Sequence, residues 1–182
     1  MPTRRKERDT PGPMGPWDEI VPGLWMGGHF VTPPGRALEP VVVEQEFDLV
    51  VSLFTRPGHG PAPGVEHLVR EVPDGPLSPG QLHDVLEAAE LVAGAVRRGR
   101  RTLVRCHSGQ NRSGLVVAQA LVTLGHQADR AVELIRERRS AWALNNSLFV
   151  EYLATGLHTA ALLSGLDGQG HDQGHGGGLG RD

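Results

Sequence analysis

Apolar positions along the chain form strand-length runs that alternate with segments of helical period. The run at residues 48–54 (DLVVSLF) is almost entirely apolar, which is typical of a strand covered on both faces. Further strands are predicted over residues 65–72 and 102–106, with a short edge hairpin or strand over residues 20–26. Alternation of such strands with helices predicts an α/β fold, with a mostly parallel central sheet of about four or five strands flanked by helices.

The helical segments are recognised by apolar residues that recur every three or four positions. The clearest one begins at Ser78-Pro79, where an N-cap residue precedes a proline at the first helical position. Its apolar residues continue from Leu82 to Val96 with the helical period. Further helices are predicted over residues 38–47, 113–124, 128–139 and 146–163. Three arginines near the end of one of them are interpreted as charges on an exposed helix end: Arg136, Arg138 and Arg139.

The two ends of the chain differ in composition from the middle. Residues 1–16 are charged and then rich in Pro and Gly, and residues 164–182 are rich in Gly and contain His171 and His175. We therefore expect a flexible arm over 1–16, one folded domain over 17–163 and a disordered tail over 164–182. Nothing fixes the two tail histidines in a geometry that would bind a metal.

Charge and cysteine content exclude several classes of function. The net charge is −3 over 182 residues, so no nucleic-acid or membrane partner is expected, because both require clustered positive charge. The single cysteine, Cys106, cannot form a disulfide within the chain. No apolar leader follows Arg4-Arg5 and no run is long enough to span a membrane, so a cytoplasmic location is expected.

Residues 104–114 (VRCHSGQNRSG) place the chain's chemistry between a predicted strand and a predicted helix. A loop at this position directs backbone N–H groups and a helix N-terminus at one point, which favours an anion such as phosphate. The same field stabilises Cys106 as a thiolate nucleophile. Arg112 can hold two phosphate oxygens through its planar guanidinium. The predicted phosphate-binding residues are His107, Ser108, Gly109, Gln110, Asn111 and Arg112.

The loop sequence CHSGQNR matches the Cys-x5-Arg signature of the protein tyrosine phosphatase superfamily. The surroundings resemble its small dual-specificity branch: WDEIVPGLWMGG resembles the opening strand, VPDGPLSP the general-acid loop and ALNNSLFVEYL the late helix. The likeness covers about residues 17–155. It implies a dual-specificity phosphatase-like fold and hydrolysis through a phosphocysteine intermediate, without metal or organic cofactor. The implied substrate is a phosphorylated protein or a small phosphate ester. The absence of lysine from the loop makes a lipid substrate less favoured.

The resemblance also assigns roles outside the loop. Asp74, 32 residues before Cys106, corresponds to the general acid, although Pro-Asp-Gly-Pro is also a good turn on local grounds. Asp84 is a weaker rival, predicted to face solvent from a helix. Ser113 corresponds to a hydroxyl that helps the thiolate leave, and it could equally cap the helix. Asn146 corresponds to a residue that orients the hydrolytic water, with a helix N-cap as the equal alternative.

The sequence departs from the family pattern at one position and leaves other functions open. The family commonly has His before the cysteine, whereas this chain has Arg105. Alternation along the strand predicts that Arg105 faces away from Cys106. The alternatives are a phosphatase of a small-molecule, nucleotide or RNA phosphate, a non-catalytic phosphate-binding module and a persulfide sulfur-transfer enzyme. Binding alone requires neither the thiol nor the acid, and sulfur transfer does not explain Asp74.

Overall fold

The structure, a computed structural model, describes residue 13 and residues 15–169. The predicted N-terminal arm therefore lies mostly outside the described residues, as do the last thirteen residues of the predicted tail with His171 and His175. The seven strands are β1 (Trp17–Val21), β2 (Leu24–Gly28), β3 (Phe30–Val31), β4 (Glu39–Pro40), β5 (Leu49–Ser52), β6 (Glu66–Val69) and β7 (Thr102–Cys106). The five helices are α1 (Pro79–Arg97), α2 (Arg112–Thr123), α3 (Ala128–Arg138), α4 (Ser147–Thr155) and α5 (Leu157–Gln169).

Five strands form one mixed sheet in the order β1-β2-β7-β5-β6. β1 and β2 are an antiparallel hairpin, and the other neighbours in the sheet pair in parallel. The predicted α/β fold with a mostly parallel sheet is confirmed. β7 is the central strand, so its five residues are all buried, and it ends at Cys106. The carboxyl ends of four parallel strands thus meet at one edge of the sheet, where ligands of open α/β sheets bind.

The two faces of the sheet are covered differently. Buried residues of all five helices pack on one face, where they form a single large cluster with Met26, Val51, Val104 and Cys106. The other face carries a smaller cluster of Val43, Phe47, Val50 and Leu103. Neighbouring residues of β5 therefore point into different clusters, which explains why the predicted strand reads as a continuous apolar run. Within the part of the chain that the structure describes, no helix is both long and apolar enough to cross a bilayer.

The predicted start of α1 is confirmed, whereas the last predicted helix is two helices. Ser78 caps α1 as expected: its hydroxyl accepts from the Gln81 N–H at 3.2 Å, and the Gln81 side chain accepts from the Ser78 N–H at 2.9 Å. The prediction of a single helix over residues 146–163 is wrong. Two helices, α4 and α5, are separated there by Gly156, whose φ is 89°. α5 then continues to Gln169, past the predicted domain boundary at residue 163.

The helix predicted over residues 38–47 is also wrong. The structure has the short strand β4 there, paired with β3, and an irregular segment after it. Val41, Val43 and Phe47 are buried, while Val42 is 49% exposed. Because the buried residues alternate with exposed ones, this segment covers the second face of the sheet in an extended form and not as a helix.

Candidate active site

The loop between β7 and α2 starts at Cys106 and ends at Arg112, as the sequence predicts. Gly28, the last residue of β2, is the parallel partner of Cys106 in the sheet. The His29 N–H donates to the carbonyls of Cys106 and His107 at 2.8 and 2.9 Å, and the Phe30 N–H donates to the His107 carbonyl at 3.0 Å. The chain after β2 therefore satisfies the loop's first two carbonyls and holds the start of the loop against the sheet.

Two glycines allow the loop to lie against the end of β2. A Cβ on Gly28 would stand 2.7 Å from the Ser108 carbonyl carbon and 2.8 Å from the His107 oxygen. Gly109 has a φ of 66°, and a Cβ there would stand 2.5 Å from the Gly27 carbonyl oxygen. The backbone conformation and the close approach both require glycine at 109, so the curvature of the loop is fixed by contact and not by sequence propensity alone.

Cys106 lines a pocket, although the residue as a whole is only 3% exposed. This pocket, the active-site pocket below, has a volume of about 260 Å³. Ser113 Oγ lies 3.3 Å from Cys106 Sγ. The interpretation of Ser113 as an N-cap is wrong, because the N-cap of α2 is Asn111. The residues that line the pocket are Asp74, Cys106, Ser108, Gln110, Asn111, Arg112, Trp142 and Asn145.

The guanidinium of Arg112 faces this pocket without a counter-charge. It makes one long hydrogen bond, 3.4 Å from Nη1 to the Val72 carbonyl, and it lies 5.6 Å from the centre of the Phe54 ring. Its Nε has no hydrogen-bond acceptor among the described residues. A cation that stands beside a helix N-terminus without a carboxylate partner favours binding of an anion.

Asp74 reaches the same pocket from the loop before α1. Its Oδ1 accepts from the Asn146 side-chain amide at 2.9 Å, and its Oδ2 accepts from the Asn111 amide at 3.0 Å. These two hydrogen bonds orient the Asp74 carboxylate beside the loop at residues 106–112, the candidate catalytic loop. The rival carboxylate, Asp84, does not line the pocket; its side chain is 44% exposed and lies 4.0 Å from Arg70.

The N-cap interpretation of Asn146 is confirmed. It is the N-cap of α4, and its Oδ1 accepts from the Leu148 N–H at 3.1 Å. At the same time its Nδ2 donates to Asp74, so the capping interaction also orients the side-chain amide that contacts Asp74. The neighbouring Asn145 lines the pocket directly. Orientation of a water by Asn146 stays a prediction.

Of the six predicted phosphate-binding residues, Ser108, Gln110, Asn111 and Arg112 line the pocket. His107 instead directs its ring at two phenylalanines, with centroid distances of 4.8 Å to Phe30 and 5.1 Å to Phe54. Burial, followed by the charges of Arg112 and Arg56, lowers the pKa of His107, so the ring is neutral near neutral pH. Sequence reasoning missed Trp142, because a lone tryptophan in an irregular segment gives no signal of a site.

Two arginines beside the loop are buried. Arg105 faces away from Cys106, as alternation predicts: its guanidinium donates to Ser52 Oγ and to the carbonyls of His59 and Gly60. Arg139 donates to the Gly109 carbonyl at 3.1 Å and lies 2.6 Å from the Asp18 carboxylate.

The interpretation of the arginines near the end of α3 as exposed charges is therefore wrong for Arg139. It is wrong for Arg136 as well, since Arg136 donates to the carbonyls of Ala143 and Leu144. Arg138 alone of the three is exposed. Through its hydrogen bond to Gly109, Arg139 helps to hold the loop at residues 106–112 in place. Its position in the sequence does not reveal this role.

Solved structures resemble the whole described domain. Human DUSP28 aligns over 81% of this chain and 99% of its own, with a TM-score of 0.60 and 20% identity. A mouse putative dual specificity phosphatase complexed with zinc tungstate aligns over 87% of this chain and 97% of its own, with a TM-score of 0.54 and 25% identity. PTPMT1 in complex with PI(5)P aligns over 83% and 99%, with a TM-score of 0.56 and 14% identity.

No protein-family model and no curated protein matches the sequence. The likeness to these structures lies in the fold, and the loop sequence agrees with it. Cys106 and Arg112 are separated by five residues in a loop between a strand and a helix, at the carboxyl edge of the sheet. The chain has the fold and the Cys-x5-Arg loop of the protein tyrosine phosphatase superfamily, in the form seen in dual-specificity phosphatases.

Proposed function

We propose that this chain hydrolyses phosphate monoesters through a phosphocysteine intermediate, with phosphotyrosine proteins, and phosphoserine or phosphothreonine proteins, as its substrates. The observation that supports this most is the meeting of three groups at one pocket. The Cys106 sulfur, the unpaired Arg112 guanidinium and the Asp74 carboxylate all line it. A site that only bound phosphate would need the guanidinium and the loop amides but neither of the other two groups.

In the first step the Cys106 thiolate attacks phosphorus, and the P–O bond to the alcohol breaks. Protonated Asp74 gives its proton to the departing oxygen. Arg112 and the loop amides stabilise the three equatorial oxygens, where negative charge resides in the transition state. The products of this step are the free alcohol and a phosphoryl group bound to sulfur.

In the second step water attacks the phosphocysteine, and Asp74 accepts a proton from it. The Cys106 sulfur leaves as a thiolate, stabilised by a hydrogen bond from Ser113 Oγ, which lies 3.3 Å away. Asn146 already donates to Asp74, and it is assigned to the orientation of this water. Inorganic phosphate then leaves the pocket.

The charge of the pocket favours a monoester with a single phosphate. Arg112 is the only basic residue among those that line it. A substrate with several phosphates, such as an inositol polyphosphate, would require further basic groups to neutralise it. A protein phosphotyrosine presents one phosphate on an aromatic ring and needs only this cation.

The test is turnover of p-nitrophenyl phosphate in the presence of reductant. Cys106→Ser should lose about a thousandfold or more in kcat, because the attacking group is gone. Asp74→Ala should lose about a hundredfold. Asp84→Ala, which removes a carboxylate outside the pocket, should stay within about twofold of the unchanged protein.

Retained turnover in Cys106→Ser would contradict the nucleophile assignment. Equal losses in Asp74→Ala and Asp84→Ala would contradict the acid. Tight binding of phosphate without turnover of any ester would identify a non-catalytic phosphate-binding module instead. Phosphotyrosine and phosphothreonine peptides of the same sequence, compared at equal concentration, then separate tyrosine from dual specificity.

A further inference from the structure

A second pocket opens directly beside the active-site pocket. Its volume is about 340 Å³, within the range of ligand-binding clefts in proteins. It is named here the Leu38 groove. The apolar residues Phe30, Val31, Leu38 and Trp142 line it, together with the polar Ser108 and Gln110, and none of its lining residues is charged.

The two pockets are continuous because three residues belong to both. Ser108, Gln110 and Trp142 line the active-site pocket on one side and the Leu38 groove on the other. The groove is therefore open to the part of a substrate that extends past Trp142 from a phosphate at Arg112.

The lining of the groove is uncharged, and the exposed ion pair of Arg36 and Glu39 flanks Leu38 in the sequence. The His107 ring lies tilted against the Phe30 ring, with a centroid distance of 4.8 Å, and its lowered pKa keeps it neutral near neutral pH. Leu38 is 57% exposed at the rim. An exposed leucine beside aromatic side chains resembles the apolar centre of a recognition surface, where aromatic residues are enriched and charged ones depleted.

The shared wall of the two pockets, together with the geometry of an extended peptide, indicates which residue of a peptide would lie in the groove. In an extended peptide, side chains two positions apart point to the same side, and their Cα atoms are about 6.6 Å apart. Because the two pockets share a wall of side chains, a side chain two positions from the phosphorylated residue is the nearest one that points to the same side. An immediate neighbour of the phosphorylated residue would point to the opposite side.

Resting on the proposed function, we propose that the Leu38 groove is a specificity subsite for phosphotyrosine peptides. It binds an apolar side chain two positions from the phosphotyrosine. An acidic side chain at that position is disfavoured, because it would lose its hydration against Phe30 and Leu38 without gaining a cation. The subsite thus selects among phosphoproteins, whereas the catalytic loop selects the phosphate.

The test compares phosphotyrosine peptides that differ only at the second position on either side, where they carry Leu or Glu. The unchanged protein should prefer the Leu peptide by about tenfold in kcat/KM at one of these two positions. Leu38→Lys should reverse or abolish this preference, because it places a cation at the rim. Leu162→Lys alters a leucine that is 72% exposed on α5, and it should leave the preference unchanged.

Turnover of p-nitrophenyl phosphate distinguishes failure of the subsite from failure of the proposed function. This ester is too small to reach the groove, so Leu38→Lys should leave its kcat/KM within about twofold. Peptide affinities measured by fluorescence polarisation with Cys106→Ser give the same comparison without turnover. Absence of p-nitrophenyl phosphate hydrolysis would reject the proposed function, whereas hydrolysis with equal preference for both peptides would reject the subsite alone.

Two other results would overturn the subsite. Faster turnover of p-nitrophenyl phosphate by Leu38→Lys would mean that another segment of this chain covers the groove. A change of oligomeric state in Leu38→Lys, measured by light scattering, would mean that a second copy covers it. Reversal of the peptide preference by Leu38→Lys, with the Leu162→Lys control unchanged, is the result that the subsite predicts.

Discussion

Arg105 and Arg139 are both buried beside the catalytic loop, yet only Arg139 meets a carboxylate. Arg139 lies 2.6 Å from Asp18, and it also donates to the carbonyls of Gly15 and Gly109. Arg105 donates only to neutral oxygens, and no carboxylate of the described chain forms an ion pair with it. Burial lowers the pKa of Arg105 to about 10, so the guanidinium stays charged. Burial also lowers the pKa of Arg139, and Asp18 opposes that shift.

The comparison shows that a buried arginine serves a different purpose on each face of the sheet. Arg139 holds the Gly109 carbonyl from the helix-covered face, and Asp18 compensates its charge. Arg105 holds the chain at residues 59–60 on the other face, and its charge acts on its neighbours without compensation. Burial and then the charge of Arg105 lower the pKa of His29 to about 3. The same two causes lower the pKa of His67.

The largest expected effect removes the counter-charge of Arg139. Asp18→Ala leaves a buried guanidinium without its carboxylate, so the free energy of unfolding should fall by about 3 kcal/mol. Urea unfolding at pH 7 measures this loss. Glu133→Ala breaks an exposed pair with Arg130 and should cost below about 0.5 kcal/mol. Equal small losses in both variants would show that Arg139 needs no counter-charge and would remove the distinction between the two arginines.

The second largest effect is the pH dependence of the free energy of unfolding that comes from His29, which is 1% exposed. Its folded pKa of about 3 lies below the ordinary histidine value of 6.5, so the unfolded chain takes up the proton first as the pH falls. The stability that the neutral ring contributes is complete above pH 6.5 and is lost as the pH falls towards 3. Between pH 7 and pH 5 this loss amounts to about 2 kcal/mol.

His29→Phe should remove that part of the pH dependence, since phenylalanine does not titrate. Urea midpoints of both proteins at pH 7 and pH 5 give the comparison, with the exposed His158→Gln as control. If His29→Phe loses as much stability between the two pH values as the unchanged protein, His29 is not the group that titrates.

The smallest effect isolates the charge of Arg105. Arg105→Met removes the cation but keeps the ring of His29 buried, and burial is the larger cause of its low pKa. The loss of stability between pH 7 and pH 5 should therefore shrink by less than about 1 kcal/mol. The exposed Arg138→Met should leave it unchanged. A larger pH dependence in Arg105→Met would contradict the electrostatic role given to this arginine.

Local signals predicted the elements that carry the catalytic loop. The apolar run of β5, the Ser78-Pro79 start of α1 and the strand-loop-helix order around Cys106 are all expressed within a few residues of sequence. Asp74 was reachable through its distance from Cys106 and the resemblance. These features depend on periodicity and capping, which a single sequence records directly.

Long-range contacts account for what the sequence did not predict. Arg139 contacts Asp18 across 121 positions and Gly109 across 30. Because these partners are distant in the sequence, the local sequence at the end of α3 does not show whether its arginines are buried or exposed. The helix predicted over residues 38–47 is wrong, because the cluster that Val43 and Phe47 join, with Val50 and Leu103, exists only once the sheet has formed. Tertiary burial overrode the local pattern in both cases.

The central claim is that the Cys106 sulfur accepts phosphorus, and trapping the intermediate tests it most directly. Asp74→Ala slows the attack of water, so phosphocysteine should accumulate when this variant turns over an activated aryl phosphate. Rapid quenching followed by peptide mass spectrometry should find one phosphoryl group on the peptide that contains Cys106. Turnover with the Cys106 peptide unmodified, or with the phosphoryl group on another residue, would contradict the account.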